Sequence, residues 1–172
     1  ERINNYFNLE NINFKLKEII FSSENNFNFI INNKFRIKDS KIDSKVNLIS
    51  LEIENNLHLQ NFLPKIKKKI IFKNNKLQIT YKKNNLYILG SGNLSLQNKP
   101  DIIEYKIFKN KNNLNFDLKL NIKDNNLKFD FFNFEKKNKS NLKLEIKGEH
   151  IIDKGILFQK INLIENKNTI LI

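Results

Sequence analysis

Residues 114–122 read Leu114-Asn115-Phe116-Asp117-Leu118-Lys119-Leu120-Asn121-Ile122, five large apolar side chains in strict alternation with four polar ones. Successive side chains of an extended strand point to opposite faces, so this segment has one greasy face and one wet face. A helix would scatter the same five residues around its circumference. Period two therefore sets the fold class at this point, and the remaining chain can be compared with it.

Similar alternation recurs on both sides: Val46, Leu48; Leu51, Ile53; Leu57, Leu59; Leu77, Ile79, Tyr81; Ile103, Tyr105, Ile107; Leu127, Phe129, Phe131; and Leu142, Leu144, Ile146. Between these runs lie Asn74-Asn75, Lys83-Asn84-Asn85, Asn110-Lys111-Asn112-Asn113, Asp124-Asn125-Asn126 and Asp153-Lys154-Gly155. Asn, Asp and Gly tolerate the left-handed backbone of tight turns, so the pattern predicts a meander of antiparallel hairpins. Nearer the N-terminus, Ile19-Ile20-Phe21 and Phe29-Ile30-Ile31 are short continuous apolar runs, which fit either strands buried on both faces or β-bulges. Pro64 and Pro100 fall outside the alternating runs, as expected of a residue that cannot donate to a ladder.

A sheet with one apolar face must hide it, and no helix with a matching stripe is visible in the sequence. The expected architecture is all-β, an antiparallel meander forming a curved, folded-over sheet with an apolar interior, either an open groove or an elongated sandwich. Strands of about nine residues would each span roughly 30 Å. No Ser/Gly-rich linker divides the chain, so residues 1–172 read as one segment. Because it opens on Glu1, that segment is expected to be excised from a longer, repetitive β protein.

Composition narrows the chemistry. Alanine, cysteine, methionine and tryptophan are absent while Asn, Lys, Ile, Leu and Phe dominate, the set an AT-rich coding sequence produces. Losing alanine removes the best helix former, in agreement with the periodicity. Without cysteine there is neither a disulfide framework nor a thiolate metal site. No apolar run approaches the roughly 18 residues of a membrane-spanning helix. The net charge of +13 comes from 31 basic residues, of which only Arg2 and Arg36 are arginine, the side chain preferred for bidentate phosphate and base contacts. Lysines alternate with apolar residues along the strands, apart from Lys65, Lys67, Lys68 and Lys69, so the charge reads as a solvated face and not as a site for a specific nucleic acid. The 15 phenylalanines mostly fall on the inward positions, where burial takes precedence over base stacking.

No catalytic constellation emerges, and the expectation is that the chain is not an enzyme and holds no cofactor or metal. His58 and His150 are far apart and lack a second ligand at metal spacing. The pairs Asp39/Asp43 and Glu52/Glu54 lie among lysines and asparagines, a setting that keeps carboxylates solvated. Gly90-Ser91-Gly92 lacks the third glycine and the helix of a phosphate loop and reads as a strand bend or bulge. The Asn-x-Ser matches at Asn93 and Asn138 carry little information in so asparagine-rich a chain.

From Lys65 onward the order of strand and turn features can be compared with a family. Lys65-Ile66-Lys67-Lys68-Lys69-Ile70, Leu77-Gln78-Ile79-Thr80-Tyr81 and Gly90-Ser91-Gly92-Asn93 are followed by Asp101-Ile102-Ile103-Glu104-Tyr105-Lys106-Ile107, Asn115-Phe116-Asp117, Phe134-Glu135-Lys136-Lys137 and Glu165-Asn166-Lys167-Asn168. This succession of strands and turns resembles the bacterial AsmA-like family of YhdP- and TamB-type periplasmic proteins. The resemblance implies a periplasmic segment, anchored to the inner membrane through a part outside this chain, that shelters phospholipid acyl chains passing between the inner and outer membranes. It also implies neighbouring β segments of the same full-length chain as partners. The expected lining, on one concave face, is Leu114, Phe116, Leu118, Leu120, Ile122, Leu127, Phe129, Phe131, Leu142, Leu144 and Ile146. An apolar face without a covering helix suits an acyl chain, which gains about 0.8 kcal/mol per buried methylene. The competing expectation is a dry β-sandwich that binds no lipid. An outer-membrane barrel fits less well, because its aromatic girdles would have to be built from four tyrosines and no tryptophan.

Overall fold

Strands that follow one another in sequence lie side by side in space, as hairpin-rich patterning requires. The computed structural model describes residues 14–55, 63, 65–129, 133–136, 140–151, 155–165 and 168–171. Every regular element among them is a strand: β1 (Phe14–Ile31), β2 (Ile37–Asn55), β3 (Lys69–Lys82), β4 (Asn85–Ser95), β5 (Asp101–Lys109), β6 (Asn113–Ile122), β7 (Lys128–Phe129), β8 (Phe134–Glu135), β9 (Leu142–Ile151), β10 (Gly155–Glu165) and β11 (Asn168–Leu171). Nine of them form one open antiparallel sheet in the order β1-β2-β3-β4-β5-β6-β9-β10-β11, while β7 and β8 make a separate two-stranded hairpin. The all-β meander expected from the sequence is the observed fold.

Register keeps the apolar parity across the sheet. Leu118 pairs with Tyr105 on one side and Ile146 on the other; Leu120 pairs with Ile103 and Leu144. The same face continues through Ile88 opposite Ile107, Ile79 opposite Ile88, and Leu163 opposite Leu144. Where the strict alternation of the sequence fails, an extra residue restores it. Ile49 is such a residue: consecutive Phe21 and Ile20 of β1 pair with Leu48 and Ser50, while β3 passes it in step through Asn74, so Leu48 and Leu51 share a face.

Both apolar runs near the N-terminus coincide with register shifts, between Ile20 and Phe21 and between Ile30 and Ile31. They are continuous, exposed strand and not strand buried on both faces; the extra residues opposite them, Ile49 and Lys38, belong to β2. Asn74-Asn75, expected to be a turn, is instead a bulge inside β3, where Asn74 takes a φ of +52°. Lys83 and Asn84 do form the expected hairpin turn, both with positive φ, which matches the right-handed twist of the flanking strands. Leu57, Leu59, His58 and Pro64 lie outside the described residues.

Connections at the two ends of the sheet differ in length, and this places the core. At one end, tight turns join β3 to β4 and β5 to β6, and β1 and β2 meet in a short hairpin loop. At the other lie the longer links β2–β3, β4–β5 and β6–β9, whose described residues reach the apolar face. Leu63, Ile66, Leu96, Leu127 and Phe134 from these links pack on Ile122, Leu142 and Leu163. A second cluster, Ile70, Leu94 and Ile103, adjoins it through Leu96 and Leu120.

Hydrogen bonds lock the links together. Lys67 N donates to Leu96 O at 2.9 Å and Lys136 N to Leu127 O at 2.9 Å. Gln97 Nε2 reaches Asn126 O, and Asn125 Nδ2 donates to both Lys99 O at 2.6 Å and Asp101 Oδ2 at 2.8 Å. Buried backbone groups that no strand partner serves are satisfied in this way, which lets irregular chain lie over a core.

Candidate functional site

Of the eleven residues expected to line one face, eight do share it: Leu114, Phe116, Leu118, Leu120 and Ile122 on β6, and Leu142, Leu144 and Ile146 on β9. Ile122 lies opposite Leu142, Leu120 opposite Leu144, and Leu118 opposite Ile146. Leu127 touches the same face from a different direction. It belongs to the β6–β9 link, not to a strand of the large sheet, and is 2 % exposed as part of the cover. The backbone of Phe129 belongs to the small hairpin β7–β8 and not to the large sheet, while its side chain and all of Phe131 lie outside the described residues.

Sequence periodicity missed β10. Ile156 and Phe158 carry the face on opposite His150 and Gly148, and Ile161 and Leu163 carry it on opposite Ile146 and Leu144. A bulge between Phe158 and Lys160 reverses the parity halfway, which is what hid the strand from a search for strict alternation. His150 stands half-buried on this apolar face between Leu114 and Ile156.

Among the described residues the face is covered at one end and open at the other. Leu163 is fully buried beneath the links, whereas Phe158 and Phe27, toward the tight-turn end, are more than half exposed. Aromatic rings fill the positions left by glycine on this face. A methyl group on Gly148 would meet the ring of Phe116, which also makes an edge contact with Phe158 at 6.3 Å between centroids. A methyl group on Gly90 would collide with the ring of Tyr105, whose hydroxyl is pushed above its usual pKa by burial. Aromatic cover over cross-strand glycine lets the sheet bend without leaving a void.

On the opposite, wet face lies a concavity of about 770 Å³ across the middle of β1 to β6. Its lining runs in triplets along each strand, Lys45-Val46-Asn47, Lys76-Leu77-Gln78, Leu89-Gly90-Ser91 and Glu104-Tyr105-Lys106, with Asp117 and Lys119 from β6. Outer members of each triplet point toward the volume and the central one supplies floor, so this hollow belongs to the wet face. Both signs of charge line it.

Elsewhere the wet face is laced with ion pairs. Lys41 Nζ lies 2.7 Å from Asp43 Oδ2, Lys17 Nζ 2.8 Å from Glu54 Oε2, Lys143 Nζ 2.7 Å from Glu145 Oε1, and Lys147 Nζ 3.2 Å from Asp117 Oδ2. Hydrogen bonds from Lys41 and then from Thr80 hold the Asp43 carboxyl below its ordinary pKa, and those from Lys17 and Lys143 do the same for Glu54 and Glu145. Such exposed pairs add little stability and keep the face wet. Glu52 pairs with Lys69 and Asp39 lies 3.8 Å from Lys83, so all four carboxylates considered as acid–base candidates have a lysine partner. Among the described residues no group of three or more His, Cys, Asp or Glu side chains could hold a metal ion, and no helix is long and apolar enough to cross a membrane.

One carboxylate behaves differently. Asp101 sits under the links with Oδ1 unpartnered, and burial pushes its pKa up against the opposing hydrogen bond from Asn125 and the charge of Lys136. Its place is structural, at the joint between the β4–β5 and β6–β9 links.

No family model, curated protein or solved structure matches this chain.

Proposed function

We propose that this chain is a periplasmic segment of an AsmA-like, bridge-type protein, and that its apolar face shelters phospholipid acyl chains in transit between the inner and outer membranes. One observation carries the reading. A single apolar face runs through eight hydrogen-bonded strands, β1 to β6, β9 and β10, about 34 Å across at about 4.8 Å per strand spacing, yet the described residues of the links cover only one end of it. A sheet that needed only a dry core would be expected to cover the whole face. Chains laid on the open part would exchange water for methylene contacts along Leu118, Phe116, Ile107 and Ile88, while the opposite face stays hydrated through its ion pairs.

The two edge strands suit a segment of a longer sheet. Among the described residues β1 has β2 as its only neighbour and β11 has β10, so each offers an unpaired edge to further strands of the same chain. Anchoring to the inner membrane would come from outside these residues.

A dry β-sandwich is the second reading, favoured by the covered end, where Ile122, Leu142 and Leu163 are packed as a closed core. Native mass spectrometry of the purified segment separates the two, since co-purified phospholipid is expected only if the open part holds acyl chains. A photo-crosslinker at Leu118 should capture phospholipid and one at Lys119 should not, because one step along a strand reverses the face. Equal capture from both positions, or none from a folded sample, would overturn the proposal.

A further inference from the structure

The β1–β2 hairpin projects beyond the rest of the sheet. Pairing between β2 and β3 ends at Lys41 opposite Lys82, and Lys41 in turn faces Asn28, so residues 29–40 form a two-stranded ribbon with no third strand beside it. Its turn is closed by Asn32: Phe35 N donates to Asn32 O at 2.9 Å, and Asn32 Oδ1 accepts from the backbone N–H of Lys34 and Arg36, both at 3.0 Å.

Phe35 occupies the turn position that normally belongs to glycine, with a φ of +54°, and is 91 % exposed. A bulky side chain there is strained, and water gains it nothing, so the residue is costly in both respects. The apolar surface around it is not confined to one face of the ribbon. Phe29 lies on the face shared with Phe27, Ile30 points to the other, and Ile31 and Ile37 pair just below the turn, all of them exposed. Lys34, Arg36 and Lys38 are interspersed among these residues, and no carboxylate stands between Glu24 and Asp39.

We infer that this hairpin tip inserts into the surface of an anionic lipid bilayer, with Phe35 as the leading side chain and Lys34, Arg36 and Lys38 resting among the headgroups. A protein groove would accept one face of a ribbon and leave the other exposed. Apolar residues on both faces and at the apex call for a medium that surrounds the tip, and the basic residues set its charge. The inference does not depend on what occupies the apolar face of the sheet, and its readout is separate from lipid co-purification.

The chain contains no tryptophan, so Phe35→Trp introduces a single reporter. With vesicles of phosphatidylcholine and phosphatidylglycerol in equal parts, its fluorescence should shift to the blue, whereas phosphatidylcholine vesicles should leave it unchanged. Tyr87→Trp, remote from the tip on the wet face, should report no shift with either. Phe35→Gly relieves the strained backbone and keeps every charge, so it should melt no lower than the parent while losing most of its sedimentation with the anionic vesicles. Sedimentation of Phe35→Gly equal to the parent's would show that net basic charge alone holds the chain and would overturn the inference. So would an unshifted Phe35→Trp spectrum, or an equal shift from both reporters.

Discussion

The side-chain amide of Asn75 occupies the space that a side chain at residue 92 would need, and Gly92 is the residue opposite it across β3 and β4. The bulge at Asn74-Asn75 turns carbonyls away from the ladder, and Asn75 Nδ2 answers by donating to Lys73 O at 3.0 Å and Asn93 O at 3.1 Å. Tyr105 Oη adds a long 3.5 Å bond to Asn75 Oδ1. The bend of the sheet at this point therefore rests on one buried asparagine and one missing side chain.

Gly92→Ala should destabilise the fold by about 1–3 kcal/mol through overpacking. Asn75→Ala should cost a similar amount, about 1–3 kcal/mol, by leaving buried carbonyls without a donor. Because removing the amide removes the side-chain part of the obstacle and leaves only the Asn75 Cα, 2.6 Å from the added methyl position, adding Gly92→Ala to Asn75→Ala should cost less than Gly92→Ala alone, with a coupling on the order of 1 kcal/mol. Urea melts of the four proteins test this. Strict additivity would mean that the two residues do not share the space.

Asp101 predicts a pH dependence of opposite sign to that of the ion-paired carboxylates. Its folded pKa is raised by burial, so the folded state holds the proton more tightly than the unfolded chain does. Stability from this group is present in acid and is lost as pH climbs from the ordinary aspartate range through the raised folded value. Asp43, Glu54 and Glu145, with lowered pKa values, contribute stability that is present above the ordinary range and lost in acid. Asp101→Asn keeps an oxygen for Asn125 and carries no charge, so its melting temperature should rise relative to the parent as pH increases through that window. A difference that is flat with pH would mean the carboxyl titrates alike in both states.

Leu163 and Leu118 lie on one face but under different cover, which sets a contrast in truncation cost. Leu163 is fully enclosed, and Leu163→Ala should lose about 2–5 kcal/mol. Leu118 is half-buried, and Leu118→Ala should lose less than about 2 kcal/mol in the lipid-free segment. Equal losses in denaturant titrations would indicate that the open part of the face is as tightly packed as the covered part.

Period two was legible wherever strands run without interruption, as from Leu114 to Ile122 and from Leu142 to Ile146, and there the faces were assigned correctly from residue order alone. It failed where an extra residue reverses parity. Ile49 and the Phe158–Lys160 step are invisible to a search for alternation, because a bulge is defined by the partner strand and not by the bulged strand itself. Asn74-Asn75 was misread for the same reason, since left-handed asparagine serves a turn and a bulge equally well. The site was legible as a face and not as a shape. Which end is covered depends on how the links fold back, and Leu127 reads as one more strand residue until its link is seen lying on Ile122 and Leu142.

A charge placed on the apolar face should act differently at its two ends. At Leu163 an aspartate would be enclosed in the apolar cluster of Leu63, Ile122, Leu127 and Leu142, and burying an uncompensated charge costs more than a domain of this size can spare. Leu163→Asp is expected to abolish the cooperative melt. At Leu118 the neighbours across the strands are Tyr105 and Ile146, and among the described residues no link residue packs with Leu118 in the covered core, so a carboxylate can stay hydrated by turning outward. Leu118→Asp should therefore keep its strand spectrum and a cooperative melt. If acyl chains use this surface, the same variant should lose phospholipid in native mass spectra, because a hydrated carboxylate and a methylene chain cannot share the site. Loss of fold at Leu118 equal to that at Leu163 would place a dry core there, and retained phospholipid in a folded Leu118→Asp protein would move the lipid elsewhere.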